Sequence, residues 1–131
     1  MKHRFNKRSK PEKTNKQTGL QVQLVFQQAV TLHQHGQLPQ AQTLYEEILK
    51  FQPQHFDALH LLGVIALQTN NPQKAVELIG KAIAIKSNSA VFYSNQGLAF
   101  QELNQLDAAL TSYDKAIALN PDSADAYNNR G

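Results

Sequence analysis

The chain has 131 residues, 41% of them hydrophobic, and neither cysteine nor tryptophan. That length supports one continuous core and not two, and the missing thiols exclude disulfides, thiolate metal sites and cysteine nucleophiles. The formal net charge of +3 hides a division, because residues 1–16 hold seven of the thirteen basic side chains against one acid, Glu12, while the remainder carries six basic and nine acidic groups.

The basic start, MKHRFNKRSK, has no apolar segment behind it and is not a secretory signal. No apolar run approaches the length that spans a bilayer. A cytoplasmic location is therefore expected. Residues 1–19, rich in Lys, Asn and Ser with almost nothing to bury, are predicted to be a disordered basic tail. Its cations could touch nucleic acid or an anionic membrane nonspecifically. Phe5 is the only aromatic among them, too little for base stacking, so no specific nucleic-acid partner is expected and a solubilising leader is the plainer reading.

From residue 20 the apolar spacing is helical. Seven helices are predicted, over 20–35, 39–52, 56–69, 72–86, 90–103 and 106–119, with an unfinished one from 123. In the third, Leu59, Leu62, Gly63 and Ala66 recur at i, i+3, i+4 and i+7; Ala75, Ile79, Ala82 and Ile83 make the stripe of the fourth. Breaks fall at Gly36, Asn70 and Asn104, Pro39 and Pro72 suit a first turn, and Ser87 or Ser89 can cap the fifth helix.

These elements repeat with a stride of thirty-four residues. Ala41, Ala75 and Ala109 form one series, Gly63, Gly97 and Gly131 a second, and Tyr45, Ile79 and Tyr113 a third. A stride of this length marks a stacked array of helical hairpins. The small residues let two helices approach closely, and Tyr45, Tyr93 and Tyr113 are expected to fill wider gaps between units.

The pattern resembles the tetratricopeptide repeat over about residues 22–131, with repeats at 22–55, 56–89 and 90–123 and a truncated fourth from 124. Tyr93, Gly97, Phe100, Ala109, Tyr113, Ala116 and Pro121 occupy its signature positions, while Gln28, Ile79 and Ser87 depart from them. The resemblance implies an all-α fold, an α-solenoid of tandem helix–turn–helix units. It also implies that Ala124–Gly131 opens a fourth first helix, that the chain continues, and that an uncapped C-terminal end is a surface through which copies can associate.

Function in such an array is expected in a concave groove lined by the first helices. Helical geometry turns Gln23, Gln27, Val30 and Gln34 to that side in repeat one, and Asp57, Leu61, Val64 and Gln68 in repeat two. Val91, Asn95, Leu98 and Glu102 follow in repeat three and Asn129 in the fourth, with Phe26, His60, Ser94 and Gln101 on the flanks. Amides mixed with Val and Leu suit an extended peptide or partner protein, and adjacent apolar groups on an outer face favour binding over simple solvation. The absence of Lys and Arg disfavours the chaperone carboxyl tails that related domains clamp. Asn95 and Asn129 instead match, in part, the asparagine ladder of O-linked N-acetylglucosamine transferases, with Gln27 and Leu61 replacing it in the first two repeats. The first expectation is a non-catalytic interaction scaffold; the alternative is the recognition region of a larger glycosyltransferase.

Catalytic chemistry is not expected. The glycines are isolated and form no phosphate-cradling loop. His33 and His35 point apart on one helix and cannot share a metal, and His55 and His60 suit boundary or surface roles. Glu46 can pair with Lys50 one turn on. No cofactor, metal site or catalytic residue follows from the sequence.

Overall fold

The computed structural model describes residues 11–122. Six helices are present among them: α1 (Pro11–Gln34), α2 (Leu38–Phe51), α3 (Phe56–Gln68), α4 (Pro72–Ile85), α5 (Ala90–Glu102) and α6 (Leu106–Leu119). Five lie within a residue or two of the predicted ranges. The first begins at Pro11 and not near residue 20: proline is tolerated in a first turn, and no breaker intervenes before Gly19. The expected tail overlaps this helix over residues 11–19, whereas residues 1–10 and the predicted seventh helix lie outside the described residues.

Three helices end in one device, repeated at the thirty-four-residue stride. Gly36, Asn70 and Asn104 adopt left-handed backbone, with φ of 77°, 66° and 61°. At each, the following amide reaches back to a carbonyl five residues earlier: Gln37 to Leu32 at 2.9 Å, Asn71 to Ala66 at 2.7 Å and Gln105 to Phe100 at 2.9 Å. The left-handed residue itself bonds three back, to His33, Leu67 and Gln101. This is the Schellman arrangement, which satisfies the last carbonyls of a helix and turns the chain sharply. Glycine and asparagine are the residues that enter that backbone region at least cost.

The next helices start on side-chain caps. Asn71 accepts from the Lys74 amide at 3.3 Å, Ser89 from Phe92 at 3.4 Å, and His55 Nδ1 from Ala58 at 3.0 Å. Gln105, at the position equivalent to Asn71, makes no such bond.

The chain divides into two compact units, the first ending at Phe51 and the second starting at Gln52. In the first, α1 packs on α2. Ala29, Ala41 and Tyr45 are fully buried, and the Phe26 and Tyr45 ring centroids lie 6.0 Å apart. In the second, α3 pairs with α4 and α5 with α6, and α4 packs against α5. There, Ile83 of α4 packs on Tyr93 and Ala116 of the following hairpin.

Within a hairpin, a glycine lies under a large side chain. A Cβ placed on Gly63 would meet Ile79 Cγ1 at 2.6 Å, and one on Gly97 would meet the Tyr113 ring, with Cδ1 at 2.6 Å and Cζ at 2.8 Å. Neither distance is tolerated by real atoms, so the absence of a side chain sets the helix separation. Tyr93 fills the space between repeats, as expected. Tyr45 and Tyr113 do not: each lies inside its own hairpin, because its hydroxyl is tied to the first helix twelve residues earlier. Tyr113 donates to Gln101 Oε1 at 2.7 Å, and the Tyr45 hydroxyl lies 3.2 Å from His33 Nδ1. Glu46, expected to pair with Lys50, accepts a hydrogen bond from Gln42 at 3.2 Å.

Two predictions follow from this packing. Gly97→Leu forces bulk into the Tyr113 contact and should lower stability by roughly 1–3 kcal/mol, read as a drop in melting temperature by circular dichroism; an unchanged melt would refute the proposed separation rule. Burial pushes the Tyr45 phenol up from 10.0 to about 12. The folded chain therefore holds that proton more tightly than the unfolded one, so its contribution is intact below pH 10 and is lost as pH climbs toward 12. Denaturant midpoints should fall over that window, and Tyr45→Phe should flatten the fall, leaving the share due to Tyr113, which burial also raises.

Candidate functional site

Each first helix carries one stripe of residues turned away from its hairpin partner. The stripe exists because the buried positions of α3 and α5 occupy the opposite arc, and spacings of four, three and four residues return side chains to one side. In the second unit Asp57, Gln68, Val91 and Glu102 are exposed, and Leu61, Val64, Asn95 and Leu98 are half-buried. The half-buried set lies in the middle of the two helices and the charged or open set at their ends. The result is a surface with an apolar centre, an amide within it and two carboxylates toward its margins. In the first unit, Gln23, Gln27 and Gln34 are exposed and Val30 is half-buried on α1. Asn129 lies outside the described residues.

The flanking positions behave differently. Phe26 packs on Tyr45, Gln101 receives the Tyr113 hydroxyl, and His60 is only 6% exposed. The His60 ring lies against Phe92, with centroids 4.5 Å apart, and its Nε2 accepts from Asn95 Nδ2 at 2.8 Å. His60 is thus a structural link from α3 to α5 and not an open groove side chain, because Phe92 offers its ring a better surface than water. Ser94 is half-buried. Of the flanking set only His60 is buried; Phe26 is half-buried, and Gln101 stays exposed while accepting the Tyr113 hydroxyl.

A second buried arc on the first helices was not anticipated. Ala58, Ile65, Phe92 and Ala99 are at most 4% exposed. A first helix in a stack touches the neighbouring repeat as well as its own partner, so its buried arc is wider than one stripe. The signal was available in the sequence, since Ala58 and Phe92, like Ile65 and Ala99, are thirty-four residues apart. Polar groups within the core are paired: Ser112 donates to Gln96 Oε1 at 3.0 Å, and no buried side-chain polar atom among the described residues lacks a partner. Among those residues no cluster of His, Cys, Asp or Glu could hold a metal ion, and no helix is long and apolar enough to cross a membrane.

Two family models match: one described as tetratricopeptide repeat over residues 32–94, and one described as TPR repeat over residues 97–131. The repeating hairpins, the Schellman turns and these matches define the class, and the chain belongs to the tetratricopeptide repeat family. Among curated relatives, the protein O-mannosyl-transferase TMTC1 of Mus musculus is 33% identical over 101 residues, covering 73% of this chain and 11% of that protein. The small glutamine-rich tetratricopeptide repeat-containing protein 2 of Mycosarcoma maydis is 33% identical over 69 residues, 53% of this chain and 20% of its own length. The chain thus spans about a tenth to a fifth of the length of these two relatives.

Solved structures agree on the fold. A mutant O-GlcNAc transferase of Thermobaculum terrenum superposes with a TM-score of 0.84 at 23% identity, over 86% of this chain and 22% of that one. The first repeat domain of Spaghetti (RPAP3) bound to an HSP90 peptide gives 0.80 at 17% identity, over 83% and 86%. The MamA protein gives 0.78 at 27% identity, over 86% and 61%. The fold is an α-solenoid of tandem helical hairpins, all-α as the sequence implied.

The His60 link yields a direct test. His60→Leu keeps apolar contact with Phe92 but leaves Asn95 without its acceptor, so stability should fall by about 1 kcal/mol. His60→Gln, which can still accept from the amide, should recover part of that loss in the same chemical denaturation series.

Proposed function

We propose that this chain is a non-catalytic interaction module that holds an extended peptide or a segment of a partner protein on the outward stripe of its first helices. The observation that carries the reading is the central row of α3 and α5, where Leu61, Val64 and Leu98 stay partly open to solvent beside the Asn95 amide. An apolar group that is neither fully buried nor surrounded by charge gains by being covered, at about 25 cal/mol per Å² of apolar surface removed from water. The amide within that row supplies what an extended backbone needs, an acceptor for N–H and a donor for C=O. One Asn95 amide hydrogen is already committed to His60, which holds the group in place.

Charge narrows the partner. Among the described residues, Asp57 and Glu102 are the only acidic or basic side chains on the proposed stripe of the second unit. A strongly acidic tail would meet repulsion and no cation, so neutral or basic segments fit better. The RPAP3 domain named above carries an HSP90 peptide, yet the similarity at 17% identity extends to the fold alone.

A second reading has its own support. The repeat regions of an O-mannosyl-transferase and an O-GlcNAc transferase both align with this chain. On that reading the stripe presents protein substrate to a glycosyltransferase domain elsewhere in a longer protein. The coding sequence beyond Gly131 distinguishes the two: an α/β nucleotide-sugar-binding domain supports the second, and further repeats with a stop codon support the first.

The binding reading is tested with a phage-displayed library of unstructured dodecapeptides panned on the 131-residue chain. Enriched peptides should lose binding to Leu61→Glu/Leu98→Glu, and Asn95→Ala should cost them about 1 kcal/mol, roughly fivefold in affinity. Peptides that bind all three proteins alike would reject the stripe as the site.

A further inference from the structure

We propose that the outward stripe of α3 and α5 selects an extended segment with two basic side chains six residues apart, one held at Asp57 and the other at Glu102, and two aliphatic side chains between them. This rests on the reading of that stripe as a peptide site, and adds the ligand's charge pattern and its path across the two helices.

Three contacts fix how α3 and α5 lie. The Phe92 ring meets Phe56, with centroids 6.2 Å apart, and His60, at 4.5 Å. One turn on, Asn95 bonds His60 at 2.8 Å. Position 92 is therefore level with the turn between 56 and 60, and the helices run side by side in the register of the thirty-four-residue stride. Asp57 is level with Val91 at one end of the stripe, and Gln68 with Glu102 at the other. The two carboxylates thus mark one diagonal, and the opposite corners, Val91 and Gln68, carry no charge. With about 16 Å from Asp57 to Gln68 along the axis and roughly 8–10 Å between packed helices, that diagonal is about 19 Å long. It crosses the half-buried row at Leu61 and Leu98.

Both carboxylates are exposed, and no ion pair holds either among the described residues. The repeat does not require them: Gln23 and Val91 are the equivalents of Asp57, and Gln34 and Gln68 those of Glu102. Asp57 lies in the first turn of α3 and favours its own helix. Glu102 does the reverse. It is the last residue of α5, at the negative end of the helix dipole, where a carboxylate is disfavoured and a cation preferred. A cationic group bound there relieves that repulsion.

The diagonal sets the spacing of the ligand. An extended chain advances about 3.3 Å per residue, so roughly six residues span it. Side chains at i, i+2, i+4 and i+6 then share one face of the strand. Basic groups at i and i+6 reach the two carboxylates, and aliphatic groups at i+2 and i+4 fall over Leu61 and Leu98. Arginine suits both ends, because its planar fork offers a carboxylate two parallel donors. The Asn95 amide lies beside this path, where it meets the backbone.

The test titrates the full chain into fluorescein-labelled peptides, read by anisotropy in about 50 mM salt. The probe is Gly-Ser-Arg-Thr-Leu-Thr-Leu-Thr-Arg-Ser-Gly. One control replaces both arginines by glutamine. A second exchanges the later arginine with the threonine between the leucines, which keeps composition and charge but breaks the spacing. The probe should bind about fivefold tighter than either control. Asp57→Asn/Glu102→Gln should abolish that preference and keep the affinity for the glutamine peptide. Both positions are exposed, so far-UV circular dichroism should be unaltered. Equal binding of the probe and either control, with that binding lost in Leu61→Asn/Leu98→Asn, overturns the charge pattern and leaves the peptide site standing. A preference that survives Asp57→Asn/Glu102→Gln overturns the assignment of the two carboxylates. No binding, or binding indifferent to Leu61→Asn/Leu98→Asn, removes the site itself and this inference with it.

Discussion

The contact on which the rest depends is that between a residue without a side chain on one helix and a large ring or branched chain on the next. Gly97 under Tyr113 and Gly63 under Ile79 set how close the two helices of a hairpin come. Dispersion attraction falls off steeply with distance, so a hairpin closed to this separation gains many weak contacts at once. The alanines opposite, Ala75 and Ala109, are almost wholly buried for the same reason. Once the separation is set, the left-handed turns at Asn70 and Asn104 are the shortest connections compatible with it. The first unit shows the latitude in this rule, since Ala29 stands where the other repeats have glycine and is still fully buried opposite the Tyr45 helix.

Close hairpins dictate where polar chemistry can sit. A tyrosine driven into a hairpin must find a partner for its hydroxyl, and the first helix supplies one twelve residues earlier, His33 in one repeat and Gln101 in another. Repeat two has Ile79 at the tyrosine position and needs no such partner. The same economy governs His60, Phe92 and Asn95. One ring stacks, one nitrogen accepts, and the asparagine amide is held in a defined orientation at the edge of the apolar row. His60 is thereby drawn into the frame, while Leu61, Val64 and Leu98 stay half-buried.

In an array of repeats each hairpin is stabilised in part by the hairpin stacked on it. Within the second unit Ile83 covers Tyr93 and Ala116. This follows from one-dimensional stacking, in which stability is shared between hairpins and the surfaces between them. A terminal hairpin must carry polar substitutions or find a partner.

The five helices from Leu38 to Leu119, the hairpin order, the turn positions and the all-α stacked class were legible in the sequence, because each rests on local chemistry repeated at a constant stride. A glycine or asparagine that ends one helix does so through its own backbone, and a periodic alanine is small wherever it lies. That Asp57 and Gln68 are exposed and Leu61 and Val64 half-buried is likewise a matter of angle around a helix. Only the tertiary structure decided which neighbour each large side chain met. Tyr113 turned into its own hairpin, His60 was buried against the Phe92 ring, and Phe92 and Ala99 were buried by a second contact that one helical stripe does not describe. Those outcomes depend on competition between surfaces brought together from distant parts of the chain, and stride and polarity alone do not rank the competitors.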